Sequence, residues 1–172
     1  MNIQIPDQYP YVIIMASILG LHCHIIGFLG QKTRKRVFNK KFMVKNFQEI
    51  HEKEIGKNEK LPGQGYPDMG SGFYSQKLSY KDWYDFNNSQ RIHQNFADQI
   101  GYLLPALLIA GLLYPIFSVG LGLTHFIGRI LYASGYSKGP DQRELGAYLS
   151  HGSTFFILGT GLLCGIQLIN LK

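Results

Sequence analysis

Cysteine is scarce: the chain has two in 172 residues, Cys23 and Cys164, both inside apolar runs. That excludes a disulfide-stapled scaffold, and each reads as a buried thiol acting as a small hydrophobe. Metal-ligand spacing is missing as well. His22 and His24 stand at i and i+2, so a helix sends them to different faces and they cannot share a metal. Packing, or a hydrogen bond to another helix, is the reading for both. The glycine-rich stretch 61–72 lacks the Gly-Lys-Ser/Thr ending of a phosphate loop and the helix start that should follow one, so irregular turns are expected there. The N-terminus, Met1 to Tyr9, has neither a basic n-region nor an arginine-rich transit pattern. The first apolar helix would then act as an uncleaved anchor, or targeting is internal. No internal repeat is visible.

Long apolar runs, by contrast, are plentiful. Mean hydropathy is close to zero only because one polar block dilutes them. Residues 9–30, 87–113, 116–136 and 145–171 each approach the roughly 20 residues that a helix needs to cross a bilayer. The fold class implied is all-α and integral to the membrane: a single domain, 1–172, built as an antiparallel bundle of four transmembrane helices. A long polar loop, 31–83, is inserted between the first and second helices. Pro6 and Pro10 suit the entry of the first helix. Pro105 should kink the second. Gly120, Gly122, Gly128 and Gly135 in the third, and Gly152, Gly159, Gly161 and Gly165 in the fourth, favour close helix approach. With four spans, both termini lie on one side and the long loop on the other.

Twelve of the seventeen Lys and Arg residues fall between Lys32 and Lys81. The basic balance is therefore a property of one loop. The cluster Lys32-Thr33-Arg34-Lys35-Arg36 directly follows a spanning run, where a positive-inside flank or contact with anionic lipid explains it better than nucleic acid does. No nucleic-acid partner is implied. Within the loop, residues 40–60 suit a short surface helix around Phe42, Val44, Phe47 and Ile50.

Two polar constellations interrupt the apolar pattern. The first leads into the second span. Arg91, Asn95, Asp98 and Tyr102 fall at i, i+4, i+7 and i+11 and share one helix face. A guanidinium, an amide, a carboxylate and a phenol in a row suit recognition of a small zwitterionic molecule. They suit equally a polar stripe satisfied by neighbouring helices, and both readings stand at this point. The second constellation is Arg129, Tyr132 and Tyr136 at i, i+3 and i+7, with Arg143 in the turn beyond. An arginine within a span marks a function or a buried ion pair; here the ion-pair partner would be Asp98 or Asp85. The two tyrosines and Arg143 fit either a ligand site or an interfacial aromatic anchor.

Taken together, Phe86-Asn87, Gln90-Arg91, His93-Gln94-Asn95, the run Gly128-Arg129-Ile130-Leu131-Tyr132-Ala133, Gly135-Tyr136 and Arg143 resemble the membrane-associated proteins in eicosanoid and glutathione metabolism (MAPEG). Within that family the resemblance is closest to the type 3 microsomal glutathione transferases and the leukotriene C synthases. It covers all four spans, and its specific part is Arg-x-His-x-Asn followed by Gly-Arg-x-x-Tyr-x-x-Gly-Tyr. The resemblance implies a homotrimer of four-helix protomers with glutathione held between neighbours. It also implies that Arg91 and Asn95 hold the tripeptide, that Asp98 receives its amino group, that Tyr132 and Tyr136 line the site, that Arg34 contributes a further cation, and that Arg143 activates the thiol. The chemistry agrees: a fixed cation lowers a thiol's pKa and yields the attacking thiolate, and arginine cannot compete for the proton. A lipophilic electrophile or lipid peroxide would arrive from the bilayer.

Three departures complicate that expectation. Asp98 is one methylene shorter than the family's glutamate, Gln99 stands where the synthases carry tyrosine, and the loop 31–83 is several times the family length. They motivate an alternative from another class: a non-catalytic accessory subunit of a larger membrane assembly, for example a mitochondrial inner-membrane complex, that keeps the family fold. An endoplasmic-reticulum or a mitochondrial membrane fits either reading.

Overall fold

The computed structural model describes residues 5–170. Five α-helices make up most of it: α1 (Tyr9–Val37), α2 (Lys40–Glu54), α3 (Tyr80–Gly111), α4 (Pro115–Lys138) and α5 (Glu144–Asn170), with short 3-10 turns in the connections. No strand occurs among the described residues. Three helical stretches, Tyr9–Val37, Pro115–Lys138 and Pro140–Asn170, are long and apolar enough to cross a membrane. The chain is an integral membrane protein. The second expected span lies in α3, whose continuous apolar part begins only at Ile100 and is short of the length a crossing needs by composition alone.

Helix boundaries differ from the sequence expectation for identifiable reasons. α1 continues past Gly30 to Val37 because Gln31 to Arg36, Thr33 apart, are good helix formers. It stops at a corner made by Asn39, which donates to the Arg36 carbonyl (2.9 Å) and accepts from the Phe42 amide (3.0 Å), capping α2. α3 starts at Tyr80 rather than Asn87. Ser79 caps it by accepting from the Asp82 amide (3.2 Å) while its hydroxyl donates to the Asp82 carboxylate (3.0 Å), a side-chain N-cap. Pro115 opens α4 at the position where a missing N–H costs least.

The described chain divides into two compact units, one formed by residues up to Ile25 and from Gln94 onward, the other by Ile26–His93. The first has an apolar core of Val12, Met15, Leu19, Leu103, Leu107 and Ile157. Its helices α4 and α5 meet backbone to backbone. A Cβ on Gly128 would lie 2.7 Å from the Ser150 amide nitrogen, and one on Gly146 would strike the backbone of Tyr132. Gly135 is pressed against the Gln142 backbone and Gly122 against the Met15 side chain of α1, whereas Gly120, Gly152, Gly159 and Gly165 face open space. Apolar side chains such as Leu21, Phe155 and Leu162 point outward and are more than half exposed, as a lipid-facing surface requires.

The second unit has its own aromatic core: Val37, Phe38, Met43, Phe47 and Phe86, with the Phe38 and Phe86 rings edge to face at 5.1 Å. Burial of each such side chain is worth about 1.5–3 kcal/mol. Helix α2 lies within the 40–60 stretch expected, and it buries Met43 and Phe47. The glycine-rich stretch 61–72 is irregular but ordered around two buried charges. Arg34 is 2% exposed; its guanidinium donates to the Asp68 carbonyl (2.6 Å) and the Gln64 carbonyl (3.3 Å) and stacks on Tyr66 (4.3 Å) and Phe86 (4.9 Å). The Asp68 carboxylate accepts from the amides of Gly70 (2.7 Å), Gly72 (3.1 Å) and Ser75 (2.7 Å). Burial alone pushes the Asp68 pKa up, but the donated amides outweigh it and hold the carboxyl below its ordinary value. Gly70 closes this nest with φ of +114°, a conformation that a side chain would strain.

Candidate functional site

The polar residues of α3 and α4 meet inside the first unit. Asn95 is half-buried, and its side-chain oxygen accepts from Arg129 Nη1 at 2.6 Å. Gln99 turns back one helical turn, its Nε2 lying 3.0 Å from both the carbonyl and the side-chain oxygen of Asn95. Arg129 is 1% exposed, with its guanidinium over the rings of Phe96 (4.5 Å) and Tyr132 (4.4 Å). Where the sequence offered an ion pair to Asp98 or Asp85, the structure gives Arg129 an amide and two aromatic faces. Asp85 is engaged by Arg36 (2.8 Å) and Lys81 (3.1 Å), and Asp98 is exposed. A neutral oxygen plus ring faces satisfies a guanidinium while leaving it positive, and a cation–π contact strengthens when water is excluded.

From Arg129 the line continues outward along α4. Tyr132 is buried, and its ring lies 5.4 Å from that of half-buried Tyr136. Arg143, in the 3-10 turn that opens into α5, stands over the Tyr136 ring at 5.3 Å and donates Nη1 to the Pro140 carbonyl. That local bond fixes one edge of the guanidinium. The Gly135 backbone pressed against Gln142 holds the turn close to α4. The unit thus brings Asn95, Arg129, Tyr132, Tyr136 and Arg143 into one continuous contact series. Such a series offers two cations and two phenols, donors suited to carboxylates and a thiolate.

The remaining sequence candidates stand elsewhere. Asp98 and Tyr102 are exposed on α3. Arg91 is exposed and belongs to the Ile26–His93 unit, as does Arg34, whose guanidinium is turned inward onto the 64–69 loop. Sequence reasoning also missed a buried polar group: His125 Nδ1 lies 3.1 Å from both the Ser150 carbonyl and Thr154 Oγ1. The spacing Ser150/Thr154 at i and i+4 is the signal that would have found its α5 side. No group of three or more metal-ligating side chains gathers among the described residues.

A sequence model of the MAPEG family matches residues 42–163. An uncharacterized protein of the cyanobacterium Synechocystis sp. is 34% identical over 80 residues, a match spanning 46% of this chain and 58% of that protein. The all-helical fold, the three membrane-length apolar helices and the matched 42–163 segment agree: this chain belongs to the MAPEG family.

Proposed function

We propose that this chain is a membrane-bound glutathione transferase or peroxidase of the type 3 kind, working as a homotrimer of four-span protomers with α3 as the fourth span. The observation that carries the reading is the series Asn95–Arg129–Tyr132–Tyr136–Arg143. Arg143 is the outermost cation of that series and is only half-buried, so its free edge can meet a thiol. In the proposed reaction glutathione loses its S–H proton to water, Arg143 stabilises the thiolate, and sulfur attacks an electrophilic carbon as the leaving group departs. With a lipid hydroperoxide the attacked atom is oxygen, the alcohol leaves, and a second glutathione resolves the oxidised sulfur. By family resemblance Arg91, four residues before Asn95, clamps a carboxylate, and Asp98 receives the amino group. Arg34, by contrast, serves the loop.

Arg143→Ala and Arg91→Ala test the assignment. Losing a charge-assisted contact at a developing anion costs on the order of 2–4 kcal/mol in a dry site. Arg143→Ala should therefore suppress thiolate absorbance and conjugation rate at neutral pH far more than it weakens glutathione affinity. Arg91→Ala should raise the glutathione KM first, since its partner is already charged in the ground state. Equal effects on affinity alone would remove Arg143 from the chemistry.

A second reading rests on the Ile26–His93 unit. It has its own core and exposes Met69 (62%), Phe73 (57%) and Tyr80 (77%), which suits an accessory subunit of a membrane assembly. Wild-type protein that neither binds nor conjugates glutathione, and that co-purifies with other subunits from its native membrane, would favour this reading over the enzyme.

A further inference from the structure

Between residues 32 and 45 the chain carries seven bases and no acid. The structure removes two of them from the surface account. Arg34 is buried against the 64–69 loop, and Arg36 is neutralised by Asp82 (2.6 Å) and Asp85 (2.8 Å). The other five, Lys32, Lys35, Lys40, Lys41 and Lys45, are all exposed, and none forms an ion pair among the described residues. The next stretch is different. Glu49, Glu52, Glu54 and Glu59 are interspersed with Lys53, Lys57 and Lys60, and Lys53 pairs with Glu54.

The position of the five lysines is set by α1. Phe28 and Leu29, both 64% exposed, are the last large apolar residues of its outward surface. Lys32 and Lys35 follow Leu29 by about 4.5 Å and about 9 Å of helix rise, which matches a headgroup layer of roughly 5–8 Å per leaflet. Their aliphatic stems let the ammonium groups adjust along the interface. The Asn39 bonds to Arg36 and Phe42 tie the first turn of α2 to the end of α1, so Lys40 and Lys41 sit at the same corner. Val44, 44% exposed, stands between Lys41 and Lys45 as an apolar contact.

We propose that Lys32, Lys35, Lys40, Lys41 and Lys45 form a docking surface for the anionic phospholipid headgroups of the leaflet from which α1 emerges. Lysine suits this partner better than arginine, because a compact, mobile point charge follows fluid headgroups without demanding one geometry. The phosphates nearest to Lys32 and Lys35 are those of the bilayer that α1 crosses, so their proximity is covalently enforced. The surface does not depend on whether the site in α3 and α4 is catalytic.

The test uses the full chain in nanodiscs of phosphatidylcholine doped with spin-labelled phosphatidylserine or spin-labelled phosphatidylcholine. Electron paramagnetic resonance reads the motionally restricted fraction of each. Wild type should favour phosphatidylserine by about fivefold or more, the ratio a single surface lysine supplies, and the preference should fall with added salt. Replacing all five lysines by glutamine should abolish the preference, while Lys53, Lys57 and Lys60→Gln should retain it. A milder variant, Lys40, Lys41 and Lys45→Gln, leaves α1 intact and should lose part of it. Wild type without selectivity, a five-lysine variant that keeps it, or equal losses in the two sets would each overturn the proposal.

Discussion

Arg34→Ala separates the structural role of this residue from the glutathione contact that the family resemblance implies for it. The guanidinium makes two hydrogen bonds to loop carbonyls, at 2.6 and 3.3 Å, and two close aromatic stacks. A hydrogen bond from a charged donor is worth about 1.5–3 kcal/mol, although the longer bond falls at the weak end. Each stack adds about 0.5–1 kcal/mol. Burial in water-poor surroundings sets a desolvation cost against these gains. The net loss on truncation is therefore roughly 3–4 kcal/mol, with the Gln64 and Asp68 carbonyls left seeking new donors. The only tryptophan in the chain, Trp83, reports on this event, because its Nε1 donates to the Gly70 carbonyl at 3.1 Å, beside the same loop. Thermal unfolding followed by tryptophan emission should show Arg34→Ala losing a large part of its protection, and limited proteolysis should open first near residues 63–70. Arg34→Lys should rescue little, since an ammonium cannot lie flat on two rings while bonding two carbonyls. A variant with wild-type emission and protease resistance but a raised glutathione KM would refute the structural account and restore Arg34 to the ligand.

Three other outcomes are expected. Because the Asp68 carboxyl is held below its ordinary value when folded, its stabilising contribution is complete above the unfolded pKa and disappears as pH falls through the folded one. Acid titration of Trp83 emission should show a transition in that range, and Asp68→Asn should flatten it while lowering stability at neutral pH. Gly146→Leu places a side chain on the Tyr132 backbone; it should cost more than about 3 kcal/mol as overpacking and appear as loss of a thermally stable species in detergent, whereas Gly159→Leu, facing open space, should melt like wild type. Arg129→Met keeps the volume but removes the charge, the Asn95 bond and both ring contacts. It should reduce any glutathione binding while sparing the Trp83 transition, and calorimetric titration beside emission melting reads both.

Much of the fold is legible in the order of residues because membrane helices declare themselves by length and apolarity. The runs behind α1, α4 and α5 needed no tertiary information. The start of α3 was missed for a local reason: Ser79-Tyr80-Lys81-Asp82 is a readable N-cap signal, yet it lies in a stretch too polar to attract a span. The site is legible only in part. Helical spacing aligned Tyr132 with Tyr136, and the structure keeps those rings together. Arg129 had a plausible carboxylate partner in sequence, but which oxygen it meets depends on the rotation of α3 against α4, and Asn95 faces inward where Asp98 does not. Glycine composition gave the right helices and some wrong positions. Gly146, near the start of α5, makes the tightest approach to α4, while Gly152 and Gly159 touch nothing nearby. Periodicity finds a face, but contact depends on where two axes come closest.

The junction of α1 and α3 in the Ile26–His93 unit bears on how such a chain can lengthen. Phe38 and Phe86, both fully buried, meet edge to face, while Arg36 reaches Asp82 and Asp85 beside them. The segment that departs after Val37 and returns at Tyr80 is thereby closed at its neck, like a bead on a drawstring. For a closed loop, doubling the number of residues adds only about 0.6 kcal/mol of closure entropy. Its size is then nearly neutral to the helices that carry it, and selection can rewrite its outer surface while the neck stays fixed. A graft that preserves Arg36, Phe38, Asp82, Asp85 and Phe86, and that exchanges the segment between them together with Arg34, whose carbonyl partners lie in it, should leave the transmembrane helices undisturbed, which makes this neck a natural cut point for swapping whatever the segment recognises.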